Sequence, residues 1–240
     1  MNERHQPSEH TLAAEEQRLI VAYAKRRHSS FLDPGHLFAQ QERERYALEL
    51  LKEKGFLPLE GKSILDVGCG SGTWILQFVR WGAEANKIAG VDVRSDTIKR
   101  AQDRVPAGVK LHLGNAASLP YPADTFDIVL QATVFTSVLD NVVRRKIASE
   151  MVRVVKPGGM IMWYDFEVNN ARNPDVRRVT KREIFDLFSG CRIDLRRVTL
   201  APPLIRMLAP YSWLMTYMLS RIPPLCTHSL GAITKAVVGA

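Results

Sequence analysis

Residues 65–72 read LDVGCGSG, with glycines at Gly68, Gly70 and Gly72 between a short apolar run and the helix-like GTWILQFVRWG. A glycine-rich turn from strand to helix lets the backbone approach a ligand closely and aims helix N–H groups at it. Outward from this turn, the chain from Lys62 alternates short apolar runs with segments of helical periodicity, the signature of βαβ units and a parallel sheet. SILDV, KIAGVDV, VKLHLGN, FDIVLQA and MIMWYDF are the expected first five strands, with helices over GTWILQFVRWG, SDTIKRAQDRV and NVVRRKIASEMVRVV. KREIFDLFSG then reads as a helix, CRIDLRRVTL as an alternating strand, and THSLGAITKAV as a last strand paired antiparallel with the sixth. SILDV and FDIVL are nearly continuous in apolar residues, as central strands covered on both faces must be.

The first sixty residues read differently. TLAAEEQRLIVAYAKRR places Leu12, Leu19, Ile20 and Tyr23 at helical spacing, and QQERERYALELLKEKG does the same with Tyr46, Leu50 and Leu51 before Gly55. Between them SSFLDPGHLFAQ carries an Asp-Pro-Gly turn, with Phe31 and Phe38 expected to pack as core. The expected organisation is an N-terminal helical cap over residues 1–60 and an α/β domain over 61–240. Near its end APPLIRMLAPYSWLMTYMLSRIPPL is rich in Leu, Met and aromatics and bounded by proline pairs. A tight hairpin would join the last two strands, so residues 202–224 form an insertion with three readings: a lid on a substrate pocket, a dimer interface, or a membrane-surface contact.

At 240 residues, 46% hydrophobic and 24% charged, the chain has the balance of an ordinary globular protein. Cys69, Cys191 and Cys226 are odd in number and lack CxxC or Cys/His spacing, so neither a disulfide framework nor a metal site is expected. No signal-peptide core and no run of ~18 apolar residues is present, and a cytoplasmic location is expected, with contact to the inner membrane surface as the peripheral variant. The net charge of +8 is uneven: 11 of the 33 Lys and Arg but only 4 of the 25 Asp and Glu lie from Arg172 onward. Such a basic C-terminal third attracts phosphate, anionic lipid or nucleic acid, or simply keeps the surface solvated.

Three ligands compete for the glycine turn. A phosphate-cradling Walker loop needs Lys-Ser or Lys-Thr after its last glycine, whereas Thr73-Trp74 follows Gly72. A dinucleotide fingerprint needs GxGxxG, whereas the spacing here is GxGxG. Asp66, two positions before Gly68, would repel a pyrophosphate and attract an ammonium or sulfonium group. Asp92, at the end of the second strand and twenty residues past Gly72, can accept both hydroxyls of a ribose. The ligand is then a cationic adenosine derivative without phosphates.

LDVGCGSG, the acidic GVDVR, GNAASLPYPADTFDIVL and RVVKPGG, in this order, resemble the motifs of class I S-adenosylmethionine-dependent methyltransferases. The resemblance runs from about Gly61 to Phe166 and implies a Rossmann-like doubly wound, mostly parallel seven-stranded sheet with the last strand antiparallel. It also implies that Asp66, Gly68, Cys69 and Gly70 surround the methionine portion of S-adenosyl-L-methionine, that Asp92 holds the ribose, and that Val93 packs on the adenine. Asn115 stands where the family commonly has an aspartate at the adenine amine, with Ala116 offering its backbone, and Gln131 and Ala132 should line the methyl-transfer site.

Methyl transfer is an in-line displacement in which the cofactor carries the reactivity, so the protein positions the acceptor, excludes water and supplies at most one base. His36, Tyr164 and Asp165 are the candidate catalytic residues: the latter two end the fifth strand, and a histidine titrates near neutrality. Thr133, Phe135 and Thr136 lie in TVFTSV after the fourth strand. The leading expectation is O-methylation of a small-molecule hydroxyl on a sugar, lipid-linked glycan or natural product. The alternative is C-methylation of a quinone-like or lipid acceptor. RNA modification ranks lowest, because the position of the aromatic-proline catalytic tetrapeptide reads QATV. The expected partner is therefore a hydrophobic or amphiphilic small molecule rather than nucleic acid, with a homodimer as a further option.

Overall fold

The computed structural model describes residues 7–25, 32–170 and 173–235; Phe31 lies outside them. The chain begins with α1 (Glu9–Ala24) and α2 (Pro34–Glu53), followed by β1 (Ile64–Val67), α3 (Thr73–Arg80), β2 (Ile88–Asp92) and α4 (Ser95–Gln102). Next come β3 (Lys110–Leu113), β4 (Phe126–Ala132), a short α5 (Val134–Ser137), α6 (Asn141–Val154) and β5 (Val155–Phe166). The last elements are α7 (Lys181–Leu187), β6 (Cys191–Leu200), α8 (Pro202–Leu208), α9 (Trp213–Ser220) and β7 (Cys226–Lys235).

The strands form one seven-stranded sheet in the order β3-β2-β1-β4-β5-β7-β6. The pairs among β1 to β5 are parallel, and β7 runs antiparallel to both β5 and β6. The last strand thus pairs with its expected partner and also slots between the fifth and sixth. Alternate strand residues divide between the two faces. Ile64, Ile88, Ile128 and Leu130 share a core with Ala47, Leu50 and Leu51 of α2 and Ile75 and Phe78 of α3. Leu65, Val67, Val91 and Val129 share the opposite core with Val143, Ile147 and Met151 of α6.

Helix starts follow local chemistry. Asp140 caps α6 by accepting from Val142 N and Val143 N at 2.7 and 2.9 Å. Asp33 caps α2 by accepting from His36 N at 3.0 Å, and Pro34 fills the first helical position. The Asp-Pro-Gly stretch therefore starts a helix rather than making a free turn, and His36 sits in the first turn of α2. Phe38 is core as expected, buried with Leu200, Ile205 and Ala209.

The chain winds from β1 to β2 and β3 on one side and to β4 and β5 on the other, so β1 and β4 flank the reversal of strand order. In such sheets the crevice beyond the carboxyl ends at this point is the natural ligand site.

Candidate active site

The glycine turn leaves the carboxyl end of β1 and is pinned to β2: Gly68 N and Cys69 N both donate to Val91 O, at 2.8 and 3.1 Å. Gly68 and Gly70 have φ of 72° and 52°, the left-handed region that favours glycine. A Cβ on Gly68 would stand 2.5 Å from Cγ2 of Val134, whereas one on Gly70 would meet nothing within 4 Å. Gly68 is thus fixed by packing, and Gly70 presents bare backbone to open space. The Asp92 carboxylate closes the structure from β2, accepting from Gly70 N at 2.8 Å, Arg94 N at 2.9 Å and Thr97 Oγ1 at 3.1 Å.

A cleft of about 300 Å³ opens above this turn. Gly68, Gly70, Asp92, Val93, Asn115 and Ala116 line it, so six of the nine expected cofactor residues meet there. Ala132 and Thr133 at the end of β4 complete the wall. The Asn115 side chain is divided: Oδ1 accepts from Ala117 N at 2.9 Å, while Nδ2 donates to Glu16 Oε2 of α1 at 3.1 Å. An aspartate here would set two carboxylates against each other, which gives this departure from the family pattern a physical reason.

α1 roofs the cleft with Glu15, Glu16, Leu19 and Tyr23. It is clasped to the segment after β4: Leu139 N donates to Glu15 Oε1 at 2.6 Å, Arg18 donates to Ser137 O, and the Tyr23 and Ser137 hydroxyls are 2.9 Å apart. The apolar spacing of α1 already sets Leu19 and Tyr23 apart, but nothing in it distinguishes Glu15 and Glu16 from a solvated helix face.

Asp66, Cys69 and Gln131 do not reach this cleft. All three are buried, Cys69 packing toward Gly90 of β2, whose added Cβ would stand 2.9 Å from Sγ. Burial, then Asp66, then Asp92 push the Cys69 thiol up, so it stays protonated within the packing. Gln131 Oε1 accepts from Val134 N at 3.2 Å. Asp66 is held well above the usual carboxylate range by burial and by Asp92, against the pull of Arg43. Among the described residues, Asp66 Oδ2, Gln131 Nε2 and Arg43 Nε have no hydrogen-bond partner although buried. Such orphans beneath a glycine turn fit a ligand that brings both positive and negative charge, as the amino-acid end of S-adenosylmethionine does.

A second cavity, of about 240 Å³, lies between α2, the sheet and α8. His36, Arg43, Tyr164, Thr199, Arg206 and His228 line it together with Asp33, Gln40 and apolar neighbours. The structure thus brings His36 and Tyr164 together. Arg43 stands 4.8 Å from the Trp74 ring and 5.8 Å from the Tyr164 ring, and its charge acts on Asp66, Tyr164 and His228 alike. Burial raises the Tyr164 phenol to about 12, and its hydroxyl lies 3.0 Å from Thr199 Oγ1. Burial, with Arg43 adding to it, drives His228 down to about 3, and its ring stacks on Tyr164 at 4.9 Å. Thr133 and Thr199, each with φ of 62°, line the first and second cavities respectively. Left-handed conformations outside glycine are costly and gather at functional sites.

Asp165 belongs to neither cavity. It is fully buried and accepts from Thr136 N at 3.1 Å and Phe166 N at 2.9 Å, so it anchors α5 beside the cleft. Burial raises it to about 7. Its carboxyl is engaged by the backbone rather than open to either cavity. The residues missed in the sequence are Arg43, His228 and Glu16: Arg43 stands in the QERERY run, which reads as a solvated face, and only the fold turns it inward.

Residues 64–159 match the family model of a methyltransferase domain. The demethylmenaquinone methyltransferase of Lysinibacillus sphaericus is 32% identical over 121 residues, covering 50% of this chain and 50% of that one. The ubiquinone/menaquinone biosynthesis C-methyltransferase of Geobacter sulfurreducens is 31% identical over 118 residues, covering 47% and 45%. The chain spans about half the length of the curated relatives it matches. A solved S-adenosylmethionine-dependent methyltransferase from Methanosarcina mazei superposes with a TM-score of 0.55 at 20% identity, covering 78% of this chain and 98% of that one. Residues 64–159 are thus similar in sequence to a methyltransferase domain, and the strand order and glycine turn around them share the fold of the solved S-adenosylmethionine-dependent methyltransferase.

Proposed function

We propose that this protein transfers a methyl group from S-adenosylmethionine to a carbon of a quinone-like, apolar acceptor. The observation that carries the reading is the second cavity: a space under the apolar insertion where Phe166, Pro202 and Ile205 meet the aromatic Tyr164 and His228 and the half-buried cation of Arg43. The relatives named for demethylmenaquinone and quinone C-methylation support it over the O-methylation of sugars.

The cofactor, when bound, supplies an electrophilic methyl group. The protein's residues have four tasks. Asp92, Asn115 and the Gly70 backbone hold the nucleoside end. Arg43 stabilises a phenolate in the second cavity, which makes the adjacent ring carbon nucleophilic. His36 takes the hydroxyl proton as that phenolate forms. The ring carbon gains its bond to the methyl as the sulfur–methyl bond breaks, then gives up its own proton to solvent while the hydroxyl proton returns to the oxygen. His228, neutral down to about pH 3, is too weak a base for the task of His36 and stacks instead. Tyr164, its proton retained to about 12, donates a hydrogen bond to the acceptor oxygen.

Incubation of the purified full chain with methyl-labelled cofactor and a reduced lipophilic naphthoquinone tests this. The expected product carries label on a ring carbon, resistant to ether cleavage. Label on oxygen, or label only in a hydroxylated sugar acceptor offered in parallel, would overturn it.

A further inference from the structure

α9 is built inside out. Thr216 and Ser220 are its buried residues, and each turns its hydroxyl to the helix's own backbone, on Ser212 O at 2.7 Å and Tyr217 O at 2.8 Å. Leu214, Met215 and Met218 are 70%, 52% and 62% exposed. Trp213 and Tyr217 are exposed with them, and the patch continues through Met207 and Tyr211 before α9 and Ile222 after it. Ordinary amphipathicity puts the apolar stripe inward and the hydroxyls outward, as α6 does with Val143, Ile147 and Met151. A contiguous apolar patch of this kind marks a contact surface.

Charge identifies the partner. Residues 201–225 contain Arg206 and Arg221 and no Asp or Glu. Arg45 of α2 adds its guanidinium 5.0 Å from the Tyr217 ring, and Arg221 stands 5.9 Å from the same ring. Apolar side chains bordered by arginines, with Trp and Tyr among them, match the layering of a bilayer surface: acyl chains, an interface that accepts amphipathic rings, and negative headgroups. No described helix is long and apolar enough to cross a membrane, so contact is with the surface.

We propose that the α8–α9 insertion docks on the surface of an anionic lipid bilayer. Pro202, Ile205 and Arg206 of α8 also line the second cavity, so docking places its roof against the lipid. Delivery of an acceptor from the bilayer rests on the function proposed above; docking itself does not.

Flotation of the full chain with phosphatidylcholine vesicles containing about a quarter phosphatidylglycerol tests the surface. The chain is expected to float with these vesicles, to float less with pure phosphatidylcholine, and to release as salt rises. Leu214→Glu with Met218→Glu is expected to lower partitioning at least about tenfold. S-adenosylhomocysteine binding by calorimetry should be unchanged in that variant, because neither residue touches the cofactor cleft, and this shows that it is folded. A chain that stays unbound, or a variant that floats like the parent, would overturn the proposal. So would a dimer abolished by the same substitutions with vesicles ignored, since the face would then belong to a second copy. Vesicle binding without label transfer to a naphthoquinol would defeat the proposed reaction and leave this surface standing.

Discussion

At the scale of single residues, Asp92 has two duties that a sequence shows as one. Its carboxylate ties Gly70 to β2 and faces the cleft. Asp92→Ala is therefore expected to cost at least about tenfold in S-adenosylhomocysteine affinity, as loss of a charged hydrogen-bond acceptor typically does. Calorimetry on both proteins checks this, and equal affinity would remove Asp92 from the site. His228 gives a second prediction. Its folded value near 3 lies below the ordinary 6.5, so the unfolded chain binds the proton more readily and stability falls as pH drops from about 6.5 toward 3. One pKa unit is about 1.4 kcal/mol, so a shift of this size is worth a few kcal/mol at its acid end. His228→Phe should keep the stacking on Tyr164 and escape this loss. Its melting temperature relative to the parent should rise by several degrees as pH falls from 7 to 4, and a constant difference would show that the imidazole does not titrate this way.

At the scale of elements, the roof over the cleft is a helix held by a few polar contacts, and one of them allows a reciprocal test. Asn115→Asp places a second carboxylate against Glu16 and should weaken S-adenosylhomocysteine binding several-fold by lifting α1; adding Glu16→Gln should restore most of it. Additive losses in the double variant would mean that the two side chains do not act through each other. The bounds of β4 and β6 were legible in the sequence, because a nearly continuous apolar run and an alternation broken only at Arg196-Arg197 are strong signals. α5 was not, being four residues long with no period to detect. The start of α2 was misread because Asp-Pro serves equally as a turn and as a cap followed by the first helical residue. Within the site, Gly68, Gly70, Asp92, Val93, Asn115 and Ala116 line the cleft, whereas the side chains of Asp66, Cys69 and Gln131 turn away from it into the interior. A side chain's direction depends on strand parity and on what packs beside it, and Gly90 is what admits Cys69.

At the scale of the whole molecule, the two cavities divide between the halves of the sheet. The cofactor-type cleft is built from β1, β2, β4 and α1, while the second cavity draws on α2, α8 and the β5–β7–β6 edge. Arg43 lies where their electrostatics overlap. β6 and β7 are antiparallel neighbours, with Leu200 opposite Cys226 at the root of the insertion. The whole α8–α9 excursion is therefore the tip of a hairpin, and its length is unconstrained by the register of the strands below it. Swapping that tip for one of different polarity would recast which acceptors are admitted while the nucleoside-holding half goes untouched, so evolution or a protein engineer can retune this scaffold by exchanging a single interchangeable part.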